Sequence, residues 1–193
     1  MSPKAAVAEK RPARERLLAA AEELFYGEGI NTVGIDRIIE RAGVAKASLY
    51  DCFGSKEELI RSYLNARHES RLKRITEGLK RFVTPREKML GVFDIQGEAF
   101  RSQSYRGCPF VRASAEVKPG SAGKIVCDES RVWLRSLFAD LAKEAGAHEP
   151  DVLADKLLLL YDGAAVSAQM DKGKAPIDNA REVAELLLNK HLP

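Results

Sequence analysis

Between Gly43 and Gly54 the chain sets out an ammonium, two hydroxyls and a carboxylate, on Lys46, Ser48, Tyr50 and Asp51, interleaved with the methyl side chains of Ala45 and Ala47. The ammonium donates hydrogen bonds, the carboxylate accepts them and the hydroxyls do both, so this is chemistry for recognising a polar surface. A helix must hold these groups on one side. Leu49 and Phe53, four residues apart, would turn inward and leave Lys46, Ala47, Ser48, Tyr50 and Asp51 facing out. Just upstream, Ile35, Ile38, Ile39 and Ala42 recur at helical spacing, and Gly43 can take the left-handed conformation that stops a helix. Two short helices joined by a tight turn, the second presenting small and polar residues, form the geometry that seats a recognition helix in the major groove of DNA. The same pattern also serves packing alone in all-α proteins, so the site and not the pattern must carry the function.

The next residues favour the site. Ser55-Lys56-Glu57-Glu58 predicts a capping box that starts a third helix directly after the motif, with free N–H groups and a lysine that suit a phosphate. The run from Gly29 to Leu59, GINTVGIDRIIERAGVAKASLYDCFGSKEEL, resembles the DNA-binding segment of the TetR (tetracycline-repressor-like) family of bacterial regulators. It shares the AGV turn, the K-x-x-LY recognition helix, the closing Phe and the S-K-E-x-L helix start. The resemblance implies a DNA-facing set of Val33, Gly34, Arg37, Val44, Ala45, Lys46, Ala47, Ser48, Tyr50, Asp51 and Lys56. In it Lys46, Ala47 and Ser48 face the groove, Tyr50 and Lys56 hold phosphates, and Val33 and Gly34 approach the DNA backbone. Three positions depart from the family pattern: Ile39 replaces the usual Ala, Cys52 a frequent His, and Asp51 brings a negative charge toward DNA. Ala45 offers no side-chain cap, which leaves the first N–H groups of the recognition helix for a phosphate.

With 193 residues, 45% of them hydrophobic, the chain can bury a substantial core. No apolar run approaches the eighteen or so residues of a membrane span, and the N-terminal stretch lacks the apolar segment of a signal peptide, so a cytoplasmic location without membrane association is expected. Cys52, Cys108 and Cys127 are scattered, which predicts neither disulfides nor structural zinc, and no cofactor is expected. Residues 1–81 hold 16 Lys and Arg against 12 Asp and Glu, a balance of +4, whereas residues 82–193 hold 15 against 16, a balance of −1. The basic excess accompanies the motif. Lys4, Lys10, Arg11, Arg14 and Arg16 read as an arm that meets phosphates, or as a solvated terminus.

The pattern along the chain predicts an all-α protein: an N-terminal three-helix head with a helix-turn-helix, and a C-terminal helical bundle domain that dimerises. Residues 1–11 are expected to be a flexible basic arm, 12–54 the DNA-binding head, 55–82 a connecting helix and 83–193 a ligand-binding and dimerisation domain. In the head, Pro12 opens a helix carrying Leu17, Leu18, Ala21, Leu24 and Phe25, which ends in the Gly27 to Gly29 breaker. The helix from Ser55 has a middle, Ala66 to Arg74, that is nearly all charged or polar. At roughly 25 residues it spans about 38 Å and reads as a rod between domains, or as an exposed surface helix.

Thr84-Pro85-Arg86-Glu87 supplies a second capping box, followed by a helix weakened at Gly91 and Gly97. Gly107 and Pro109 break the chain before a restart at Phe110. A helix from about Ala122 carries Val126, Trp133, Leu137 and Leu141 on one side. Between Leu153 and Met170 the next helix is apolar nearly all round, and Gly163, Ala164, Ala165 and Ala168 permit close approach. This helix and the last one, about Ile177 to Leu192, are expected to pair with their copies as a four-helix bundle, which is also what the resemblance implies.

No Ser/His/Asp, phosphate-loop or zinc-ligand pattern is present, so catalysis is not expected. Cys108, with Arg106 and Arg112 nearby, has the sequence context of a reactive thiol, or is a small buried filler. Phe93, Gln96, Phe100, Cys108, Phe110, Trp133 and Tyr161 could converge on a mainly apolar effector cavity, or be plain core. The reading is a ligand-responsive regulator, by resemblance a repressor, that binds double-stranded operator DNA as a homodimer through its last two helices and answers to a small-molecule effector. The alternative is a helical small-molecule sensor or binding protein without DNA binding.

Overall fold

The computed structural model describes residues 11–102, 104–171 and 175–193. The described residues are helical apart from turns, and the chain divides into two compact units, residues 1–63 and 64–193. Lys4 and Lys10 lie outside the described residues.

The first unit is built on three helices, α1 (Ala13–Glu28), α2 (Ile35–Ala42) and α3 (Lys46–Phe53), and on the first turns of α4 (Lys56–Leu79). Pro12 sits at the N-cap of α1, one position before the helix. The helix runs through Gly27 and stops at Gly29, whose φ of 101° few other residues would tolerate. Leu17, Ala21, Leu24 and Phe25 of α1, Ile38 of α2, Leu49 of α3, and Leu59 and Tyr63 of α4 are all buried, and the Phe25 and Tyr63 rings lie 5.6 Å apart. Gly43 takes the left-handed conformation at φ 61° and ψ 45°. The N–H of Val44 donates to the Ile39 carbonyl at 3.3 Å, closing a Schellman stop. Ile39 is only half-buried, so the larger side chain at this position lies at the rim of the packing and not between the motif helices.

The second unit contains the rest of α4 and five further helices: α5 (Pro85–Phe100), α6 (Pro109–Glu116), α7 (Ala122–Glu144), α8 (Pro150–Asp171) and α9 (Ala175–His191). Thr84 completes the capping box of α5. Its Oγ1 accepts from the Glu87 N–H at 3.2 Å, and the Glu87 carboxylate accepts from the N–H groups of Thr84 and Val83 at 2.9 and 3.0 Å. Those N–H groups hold the Glu87 carboxyl below its ordinary value. Gly91 is glycine for a packing reason: a Cβ there would lie 2.4 Å from the Phe82 ring.

Around Met89, Phe93, Phe138, Leu153, Leu157 and Leu188 the helices α5, α7, α8 and α9 form a single apolar core. Two expectations need correction here. The buried side of α7 is centred on Leu134 and Phe138, with Trp133 and Leu137 only partly covered at its margin, because Val126, Ser130, Leu134, Phe138 and Leu141 keep the closer three-to-four register. On α8, Ala164, Ala165 and Ala168 are packed into their own unit, so they are not the surface offered to a second copy. The uncovered face carries Val152, Leu159, Gly163, Val166 and Met170, spaced seven, four, three and four residues apart. Val183 and Leu186 continue an exposed apolar surface on α9. Among the described residues no helix is long and apolar enough to cross a membrane.

Candidate nucleic-acid interface and a cleft in the second unit

In α3 the inward pair Leu49 and Phe53 is buried, while Ala45, Lys46, Ala47, Tyr50 and Asp51 are exposed and Ser48 and Val44 half-exposed. The helix begins without a side-chain cap at Ala45. Its outer surface is therefore a strip of methyl groups and hydrogen-bonding groups beginning at open backbone N–H groups, the composition that fits base edges and phosphate.

Neighbouring residues constrain several members of the predicted DNA-facing set. The Lys46 ammonium donates to Asp36 Oδ1 at 3.0 Å, and this hydrogen bond, with the carboxylate's charge, raises the lysine's pKa. Arg37 is paired with Glu28 through both carboxylate oxygens. Lys56 donates to the Ile30 carbonyl at 2.9 Å and lies 6.0 Å from the Phe25 ring centre, so here it ties the α1–α2 connection to the start of α4. Val33 is fully buried, which leaves only its peptide able to approach a DNA backbone, whereas Gly34 is exposed at the N-cap of α2. Among the described residues no cation pairs with Asp51.

Two of the cations expected in a phosphate-binding arm are used inside the head. Arg16 Nη1 donates to the carbonyls of Ala42 and Gly43 at 3.0 and 2.8 Å, capping the C-terminus of α2 where the helix dipole favours a cation. The Arg14 guanidinium lies 5.0 Å from the centre of the Phe53 ring. Sequence reasoning missed Arg16 as a cap and Asp36 and Glu28 as partners, because these contacts join residues that only the folded turn brings together.

In the second unit the predicted ligand set divides. Cys108 and Phe110 line a cavity of about 280 Å³ together with Arg71, Cys127, Leu134 and Leu158. Phe93 and Tyr161 meet edge to face at 6.3 Å in the packed core. Gln96 is buried, with Nε2 donating to the Tyr161 carbonyl at 3.0 Å and Oε1 left without a partner. Phe100 meets Tyr105 at 4.7 Å with the rings tilted, and Trp133 meets the edge of His68 at 5.9 Å. Burial pushes the Cys108 thiol above its ordinary pKa even though part of the residue reaches the surface, which favours a packing role over a ready nucleophile.

Arg71 is the residue sequence reasoning passed over. It lies in the charged middle of α4, but Leu64, His68, Arg71, Ile75 and Leu79 continue one register of three and four, so Arg71 and His68 occupy positions on the inward stripe of the helix. That register was the available signal. His68 Nδ1 lies 3.0 Å from Ser130 Oγ, and Arg71 donates to the Ser130 carbonyl at 2.6 Å and to its hydroxyl. Burial, then the Arg71 charge, lowers the His68 pKa. Among the described residues no group of three His, Cys, Asp or Glu side chains could hold a metal ion.

Comparison with known proteins agrees with this geometry. The family model for bacterial regulatory proteins of the tetR family matches residues 17–63. The transcriptional activator FasR of Mycolicibacterium smegmatis is 34% identical over 76 residues, a match that spans 39% of this chain but only 35% of FasR. The transcriptional repressor NemR of Escherichia coli is 27% identical over 177 residues, covering 86% of this chain and 89% of NemR. The crystal structure of SCO4454, a TetR-family regulator from Streptomyces coelicolor, superposes with a TM-score of 0.88 at 28% identity over 93% of this chain and 95% of its own. The head, the helical order and the nearly full-length likeness lead to one conclusion: the chain carries the DNA-binding segment of the tetR family over residues 17–63, on the fold of TetR-family transcriptional regulators.

Proposed function

We propose that this protein is a homodimeric repressor whose two heads bind successive major grooves of a palindromic operator, with half-sites about 34–36 Å apart or a multiple of that spacing. The observation that carries the reading is the exposure of Lys46, Ala47, Tyr50 and Asp51 on a short helix whose opposite residues, Leu49 and Phe53, are buried. Lys46 and Ser48 read base edges, and Tyr50, Arg37 and the open start of α3 hold phosphates. To reach a base the Lys46 ammonium exchanges the Asp36 carboxylate for a guanine acceptor, a modest step because an exposed, screened ion pair is weak.

The uncovered apolar face of α8 and α9 supports the dimer, since a stripe of this kind is ordinarily covered by a partner. An effector held in the second unit would bias α4, which begins in the head, between two positions by its differential affinity for them.

The test is fluorescence anisotropy with DNA from the protein's own upstream intergenic region across a range of salt. Expected is tight binding that weakens steeply with salt, lost in Lys46→Ala, and a dimer in sedimentation equilibrium that Leu159→Glu converts to monomer. Absence of binding at every salt concentration would leave a sensor without DNA binding, and a wild-type monomer at micromolar concentration would remove the dimer.

A further inference from the structure

The cavity between α4, α6, α7 and α8 has an uneven charge balance. Of the charged side chains lining it, Lys124 is paired with Asp128 and Arg131 with Asp162, which leaves Arg71 over. Arg71 is only 8% exposed. Its contacts are the Ser130 carbonyl, the Ser130 hydroxyl and the face of Phe110, whose centroid is 4.4 Å from the guanidinium carbon. None of these carries a negative charge, and Arg71 Nε is buried with no acceptor at all. A buried cation without a counter-charge, with part of its hydrogen-bonding fork unused, is costly in a finished protein unless something else completes it.

We propose that this cavity takes a monoanionic ligand with an apolar body, a carboxylate seated on Arg71 and a hydrocarbon or aromatic portion lying against Phe110, Leu134 and Leu158. The charge balance selects a single negative charge, because the other two cations are already neutralised. A carboxylate is the acceptor a guanidinium binds by charge-assisted hydrogen bonds, and the Ser130 contacts of Arg71 use Nη2 alone. The inference rests on the reading of the second unit as the effector domain and adds the chemical class. It also places the ligand's anchor on α4, the helix whose first turns belong to the head.

The experiment uses full-length protein without DNA and two matched probe pairs, 4-phenylbutyrate against 4-phenylbutanamide and octanoate against octanamide. Binding is measured by calorimetry and by the fluorescence of Trp133, the single tryptophan, which touches His68 beside Ser130. Expected is at least about ten-fold tighter binding of each acid than of its amide, a ratio that falls to about one in Arg71→Gln and is partly kept in Arg71→Lys. Equal affinities for acid and amide in the wild type, no binding of either up to millimolar concentration, or an acid preference that survives Arg71→Gln would each overturn the proposal. The wild-type comparison decides the matter even if Arg71→Gln does not fold. Salt-sensitive DNA binding without an acid preference sinks this inference and spares the regulator, whereas an acid preference without DNA binding does the reverse.

Discussion

Arg16 separates two accounts of the basic N-terminal stretch, and Arg16→Met tests them while keeping the aliphatic stem. In the folded head Nη1 donates to two carbonyls at the end of α2, at 3.0 and 2.8 Å, and Nε to the Arg11 carbonyl at 3.2 Å. A cation at a helix C-terminus with charge-assisted bonds of this kind, partly exposed and with one nitrogen serving two acceptors, contributes about 1–2 kcal/mol. Losing that from local opening would speed amide exchange in α2 roughly 5- to 30-fold, since one or two kcal/mol corresponds to that factor in an equilibrium. Hydrogen exchange of the full-length variant, followed by mass spectrometry over peptides from residues 35–44, reads it directly. The salt dependence of operator binding should keep its wild-type slope, because no phosphate contact has been removed. If exchange in α2 were unchanged while the salt slope fell by about one, Arg16 would be a phosphate ligand and the capping argument would be refuted.

Two further outcomes follow from packing and charge. Gly91→Ala should lower the melting temperature despite a helix-propensity gain of about 1 kcal/mol, because the new Cβ meets the Phe82 ring at 2.4 Å; Gly27→Ala, where nothing lies within 4 Å, should raise it. His68 should titrate below its ordinary 6.5 in an NMR pH series, and Arg71→Met should move it partway back, since burial, the larger cause, remains. Because the unfolded chain then binds the proton more readily than the folded one, the contribution of His68 to stability should be level above pH 6.5. The contribution of His68 should fall as pH drops through 6.5 to the folded value, and His68→Gln should remove that part of the slope, leaving the part from His191, whose pKa burial and then the Lys156 charge also lower.

The helix-turn-helix was legible because its signals are local. Leu49 and Phe53 fix which side of α3 is buried, and Gly43 punctuates the turn, all within a dozen residues. Roles that depend on distant chain segments were not legible. Arg16 finds its carbonyls 26 and 27 positions away, and Arg71 finds Ser130 at a separation of 59. A long charged side chain is read from sequence as solvated, and only the returning helix decides otherwise. The register of Leu64, His68, Arg71 and Ile75 did hold that information, but the polar identities masked the stripe. On α8 the difficulty was the opposite, since a helix apolar nearly all round gives no contrast by which to choose the inner side.

The division of labour on α8 has a consequence for how such a molecule could drift over generations. Its tiny side chains are committed to the interior, whereas Leu159, Val166 and Met170 belong to the outside. In the proposed dimer, substitutions at the second group would alter which copies or cousins associate while leaving the monomer's own architecture intact. Related chains in one cell could thus part company through a handful of bulky surface positions, without first having to become unstable.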